Sequence, residues 1–85
     1  MISRKYNNKA NVTGLSIEKN RKLKGWSRAT LSNQLMIIGI DINYDGIYKI
    51  ERGKRIVKDF ELSAIAKVLG VSELDLLKDF KNTLD

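Results

Sequence analysis

The chain of 85 residues has no cysteine, no histidine and no proline. The first two absences exclude disulfides, thiol chemistry, the usual zinc sites and imidazole acid–base catalysis together. No catalytic role, cofactor or metal is expected. No apolar run approaches the length of a membrane span, and no charged-then-apolar leader opens the sequence, so a cytoplasmic protein without membrane contact is expected. There is no repeat and no low-complexity segment. The missing proline leaves helices uninterrupted, and the length suits one domain with a small core.

Charge of both signs is present, but it is unevenly spread within a net +6. Residues 1–28 hold eight Lys/Arg against Glu18 alone, whereas residues 59–85 hold three against six acids. A basic first half and an acidic end suggest one face for a polyanion and another for protein contacts or solvent.

The apolar spacing predicts five short helices, an all-α domain. Residues 1–12 are polar and aperiodic and read as a flexible basic arm, in which Arg4 and Lys5 are available to reach a minor groove or phosphates. A first helix is expected from about Thr13 to Lys24, with Leu15 and Ile17 inward and Gly25 at its end. Ser27 caps a second helix in which Leu31, Leu35 and Ile38 recur at i, i+4 and i+7. A fourth, from about Asp59, puts Leu62, Ile65, Ala66 and Leu69 on one stripe and stops at Gly70. Ser72 and Asp75 form a capping-box-like pair at the start of a fifth. There Leu74, Leu77, Phe80 and Leu84 form a stripe that partly closes the core. Leu77, Phe80 and Leu84 offer a dimer seam, and residues 81–85 are expected as a tail beyond the domain of residues 13–80.

The third helix carries the most information. Asn43 is a good N-cap for the N–H of Gly46, Ile42 and Ile47 are spaced as a hydrophobic staple, and Gly53 ends the helix before Lys54 and Arg55. Only Ile47 and Ile50 are apolar on its body, so Tyr44, Asp45, Tyr48, Lys49 and Arg52 face outward. Glu51 falls beside Ile47 on the inward arc, where a lone carboxylate is costly unless paired. Such a helix presents its polar face to a partner, and the surrounding basic residues point to DNA.

Gly14, Ile17, Arg21, Gly25, Ser27, Leu31 and Leu35, then Ile47 and the run Lys49-Ile50-Glu51-Arg52-Gly53-Lys54-Arg55, then Ala66-Lys67-Val68-Leu69-Gly70-Val71-Ser72 and Leu77 resemble the lambda-repressor/Cro (XRE-type) helix-turn-helix domain over residues 13–78. The resemblance implies a DNA-binding transcriptional regulator, with the third helix in the major groove. It gives base reading to Tyr44, Asp45 and Lys49, and Tyr48 on the same outward face is placed with them. Phosphate contact goes to Arg28, Asn43, Lys54, Arg55 and Lys58, joined by the outward Arg52. Arg21 and Glu51 match an internal ion pair between the first and third helices, and dimerisation through the last helix is common in the family.

Three departures stand beside this. About five extra residues lie between Leu35 and Ile42, so the second helix gains a turn through Met36, Ile37 and Ile38 and leaves Gly39-Ile40-Asp41 as a longer corner. Gly46 either lets the backbone approach DNA or is tolerated near the helix start. Asp45 either accepts from cytosine N4 or answers the helix dipole. Tyr44 and Tyr48 fit a DNA surface or a protein interface, and Trp26 is expected as a core plug. The expected function is a phage or mobile-element repressor acting on double-stranded DNA as a homodimer. An antitoxin-like module that binds a protein partner is the alternative.

Overall fold

A computed structural model describes residues 6–84. The five helices are α1 (Gly14–Leu23), α2 (Arg28–Ile37), α3 (Tyr44–Glu51), α4 (Asp59–Leu69) and α5 (Glu73–Thr83). Helix α3 lies between α1 and α2, while α4 closes the other side against α2 and α5. The core is aliphatic: Ile17, Leu31, Leu35, Ile42, Ile47, Ile50, Ile65, Leu69 and Leu76 are buried together with Ala64 and Ala66, and partly covered side chains, among them Trp26, pack against them. Among the described residues no helix is long and apolar enough to cross a membrane.

The helix boundaries follow from local chemistry. The side chains of Ser27, Asn43 and Ser72 each accept from the N–H three residues on, and Asp75 returns the bond by accepting from Ser72 N–H at 2.9 Å. The first helix is capped differently. Thr13 makes no capping bond; Asn11 Oδ1 accepts from the N–H groups of Thr13 and Gly14 at 3.1 and 2.8 Å. At the other ends, α1 to α4 each stop at a glycine with φ between 72° and 84°. After α3, Lys54 N–H bonds back to Lys49 C=O and Gly53 N–H to Ile50 C=O, a Schellman motif whose left-handed residue is Gly53.

The same motif makes the long corner between α2 and α3 orderly. Ile38 caps α2, Gly39 turns left-handed, and Ile40 N–H returns to Leu35 C=O at 2.9 Å. Ser32 Oγ then donates to the Ile42 carbonyl at 2.5 Å, tying α2 to the residue before the α3 cap.

Several expectations are corrected. Leu15 is 69% exposed, because residues two apart on a helix lie on opposite sides; the inward line of α1 is Gly14, Ile17 and Arg21. Ile38, beyond the last turn of α2, is exposed rather than on its core stripe. In α5 the buried residue is Leu76, four positions after the Ser72 cap and next to Val71 as a staple, while Leu74 and Leu84 are exposed. Leu77 and Phe80 are half-covered by their own chain: the Phe80 ring meets Tyr6 edge-on at 5.1 Å, and Leu77 shares a cavity wall with Tyr6. The seam expected over Leu77, Phe80 and Leu84 is therefore not a continuous open stripe. Helix α5 runs to Thr83, through most of the expected tail. Residues 6–12 are held by backbone and side-chain bonds instead of forming a free arm; Arg4 and Lys5 lie outside the described residues.

Gly46 has a structural reason that neither expectation contained. A Cβ there would lie 2.9 Å from Ile42 Cγ2 and 3.3 Å from Asn43 Oδ1, so the staple and the cap together occupy the space. Gly46→Ala should therefore gain none of the roughly 1 kcal/mol that alanine brings to a helix interior. A melting temperature above the parent's would show that the staple and cap yield without cost.

Glu51 is the one acidic side chain of α3 that faces inward, and it is fully buried. Arg21 of α1 meets it with two bonds, Nε to Oε2 at 2.6 Å and Nη2 to Oε1 at 3.1 Å, and gives Nη1 to the Trp26 carbonyl at 2.7 Å. Removing one partner of a buried pair costs about 3–5 kcal/mol. Glu51→Ala should melt far below the parent, and Arg21→Met with Glu51→Leu should recover much of the loss. A Glu51→Ala melting temperature within a degree or two of the parent would contradict the burial of this pair.

Candidate nucleic-acid interface

The outward face of α3 is built by subtraction. Ile47, Ile50 and Glu51 take the inward arc, leaving Tyr44, Asp45, Tyr48, Lys49 and Arg52 exposed. Asp45 and Lys49 are paired with each other at 2.9 Å, one turn apart with the acid first. This is the favourable order on a helix, worth a few tenths of a kcal/mol at an exposed site. Asp45 thus has a local partner in addition to the helix N-terminus that favours it.

Arg28, at the start of α2, is drawn toward the interior. Its Nε donates to Glu51 Oε1 at 2.8 Å and its Nη2 lies 3.4 Å from Glu18 Oε2. The hydrogen bond to Glu51 first, and that to Tyr44 next, hold its pKa above the usual arginine value. The same guanidinium sits 5.2 Å from the Tyr48 ring centroid, and that of Arg52 sits 5.6 Å from the same ring. Tyr48 is consequently gripped between α2 and the end of α3.

The expected phosphate set divides in two. Arg28 and Arg55 already have carboxylate partners; Arg55 is bidentate to Glu61, 2.9 Å at both oxygens, so its guanidinium braces the loop before α4. Arg52, Lys54 and Lys58 are exposed and make no ion pair among the described residues. The oxygen of Asn43 is taken by Gly46 N–H at 2.8 Å, which leaves its amide N–H groups as the donors for an outside acceptor. Glu61 and Glu18 were missed as partners of these arginines. Glu61 had a readable signal, since it lies three residues after the α4 cap and accepts from Lys58 N–H at 3.0 Å. Glu18 had none, because its contact with Arg28 depends on how α1 and α2 cross.

The Arg55 guanidinium, then the Lys58 N–H, hold the Glu61 carboxyl below its usual pKa, against the opposing effect of burial. A depressed folded-state pKa means stability that is fully present above the unfolded value, about 4.3, and is lost as the pH falls through the folded value. Melting temperature should therefore drop as the pH is lowered below about 5, and Glu61→Gln should be less stable than the parent at neutral pH with a flatter acid limb. Parallel pH profiles for the two proteins would mean that the pair contributes nothing.

No curated protein and no solved structure matches the chain. A family model described as helix-turn-helix matches residues 17–76, from the first core residue of α1 to Leu76 of α5. That span takes in α2, the corner and α3 as the two helices of the motif and covers well over half of the sequence. The chain belongs to the helix-turn-helix family of the lambda-repressor/Cro (XRE) type, whose members are DNA-binding domains.

Proposed function

We propose that the chain is a sequence-specific transcriptional regulator that lays α3 in the major groove of double-stranded DNA, a repressor of the phage or mobile-element type working in the cytoplasm. The observation that carries this is the outward face of α3. Its Tyr44, Tyr48 and Lys49 are exposed, and Arg52, Lys54 and Lys58, which make no ion pair among the described residues, frame it. In this reading Lys49 exchanges Asp45 for a base edge or a guanine, and the tyrosines meet sugar or thymine methyl. Asn43 and the three cations track phosphate, while Arg28 and Arg55 hold the frame. Two copies on a two-fold site would set their α3 helices about 34 Å apart. The exposed Leu84 and Leu74 are the parts of α5 left for such a contact.

A second reading, a module that binds a protein partner as an antitoxin does, is favoured by the exposed apolar side chains of Met36, Ile37 and Ile38 at the corner. Pull-downs with and without nuclease separate the two, because contacts bridged by nucleic acid vanish on digestion.

Three free cations per copy give a log–log salt slope of about −3 for one bound copy and about −5 for two. Lys54→Ala should make that slope shallower by about one for each bound copy and weaken all duplexes alike, whereas Lys49→Ala should lose roughly 1–3 kcal/mol on a duplex selected from a random library and little on random DNA. Titrations by fluorescence anisotropy at several salt concentrations measure both. A slope near zero, or no duplex binding at low salt, defeats the DNA reading.

A further inference from the structure

The segment before α1 has no place in the site described so far, yet its bonds converge on the end of α3. Tyr6 and Lys9 exchange both backbone bonds, at 2.8 and 2.9 Å, around Asn7 and Asn8, whose φ values of 48° and 64° make a tight left-handed turn. Tyr6 anchors this turn on Phe80 of α5. At its other end Ala10 N–H donates to Gly53 C=O at 2.7 Å, and Asn11 Nδ2 donates to Ile50 C=O at 3.0 Å and Arg55 C=O at 2.8 Å. Lys9 lies across Gly53 so closely that a Cβ on that glycine would be 2.5 Å from Lys9 Cδ. Three carbonyls in and just beyond the last turn of α3 thus receive donors from a segment more than 35 residues earlier in the chain. Through its oxygen, the same Asn11 caps α1. Gly14 brings α1 so near that a Cβ there would overlap the Ile50 carbonyl oxygen.

We infer that residues Tyr6–Asn11 form a strap that sets the C-terminal end of α3, and that Asn11 is a positioning residue for DNA reading, which it serves without touching DNA. The inference rests on the reading of α3 as the DNA-recognition helix. Helix α3 has only eight residues, and the groups that would reach phosphate, Arg52 and Lys54, straddle the Gly53 turn that the strap holds. A tilt at this end carries Lys49 away from the bases while leaving general attraction to phosphate intact, so the strap acts on discrimination more than on overall affinity.

Asn11→Asp separates the two jobs of Asn11. A carboxylate still accepts from Thr13 and Gly14 N–H and suits the start of α1, but it has no donors for Ile50 and Arg55 and repels their carbonyls. Asn8→Asp, an exposed position on the same turn, supplies the equal change of charge. Tyr6→Ala loosens the strap at its far end with no charge change and little threat to folding. The readouts are affinity for a duplex that the parent selects from a random library, affinity for random duplex, and amide exchange along α3. Asn11→Asp should bind the selected duplex about tenfold more weakly than Asn8→Asp, a single hydrogen-bond's worth of misalignment. The two should bind random duplex alike. Tyr6→Ala should move the same way by a smaller factor. Amides of Gly53 and Lys54 should exchange faster in both strap variants while those of α2 do not change. Equal affinity of Asn11→Asp and Asn8→Asp for the selected duplex overturns the inference, as does unchanged exchange at Gly53 and Lys54. If Asn11→Asp does not fold, Tyr6→Ala decides by the same two readouts. If the parent selects no duplex, it is the DNA reading that fails, and the exchange measurement still decides whether the strap holds α3.

Discussion

Everything in this domain is arranged around a carboxylate that has no access to water. Glu51 sits at the last position of α3 with its side chain fully covered, and a bare charge there would outweigh much of the stability of a domain this small. Arg21 from α1 and Arg28 from α2 both bond to it, so a single acid joins the three helices that determine where α3 points. The apolar contacts of Ile17, Leu35, Ile47 and Ile50 are non-directional; the guanidinium forks supply the direction. Arg21 also takes the Trp26 carbonyl, which fixes the turn between α1 and α2 from within.

That arrangement changes what the net charge of +6 means. Two of the arginines that a count assigns to an outer surface, Arg28 and Arg55, are balanced by Glu51, Glu18 and Glu61. Two of the three acids of α5, Glu73 and Asp75, meanwhile sit at its start, where Ser63 and the Ser72 N–H hold their carboxyls below the usual pKa values. The positive surface beside α3 is therefore narrow, made by Arg52, Lys54 and Lys58 rather than by the whole basic half of the sequence.

How much was legible in the sequence depended on the range of the interaction. Helix α3 could be read in full because its cap, staple, stripe and glycine stop all act within five residues. The caps of α2 and α5 and the glycine ends were legible for the same reason; of the long corner the residues could be read, but not the geometry, which depends on the bond from Ser32 to the Ile42 carbonyl. The stripes of α1 and α5 were misread. Leu15 and Leu74 look apolar and inward in the sequence, yet the helix phase is set by Arg21 on one and by Leu76 on the other. A polar anchor such as Arg21 is invisible to a search for apolar period. Least legible was Asn11: an asparagine in a polar segment says nothing of the backbone carbonyls of Ile50 and Arg55, 39 and 44 residues away, that it reaches.

Helix α3 is too short to persist on its own, and the structure holds it at three heights. Asn43 and the Ile42–Ile47 staple fix its start, Arg21 and Arg28 fix its last turn through Glu51, and the strap with the Gly53 turn fixes its exit. None of these supports uses the outward side chains at positions 45 and 49, whose only ion-pair partners among the described residues are each other. Those two positions can change identity without a cost in the core. Position 48 is different. Its ring lies between Arg28 and Arg52, and Arg28 is bonded to the same carboxylate that anchors the helix. A substitution at Tyr48 therefore disturbs the frame of α3 as well as its outward face.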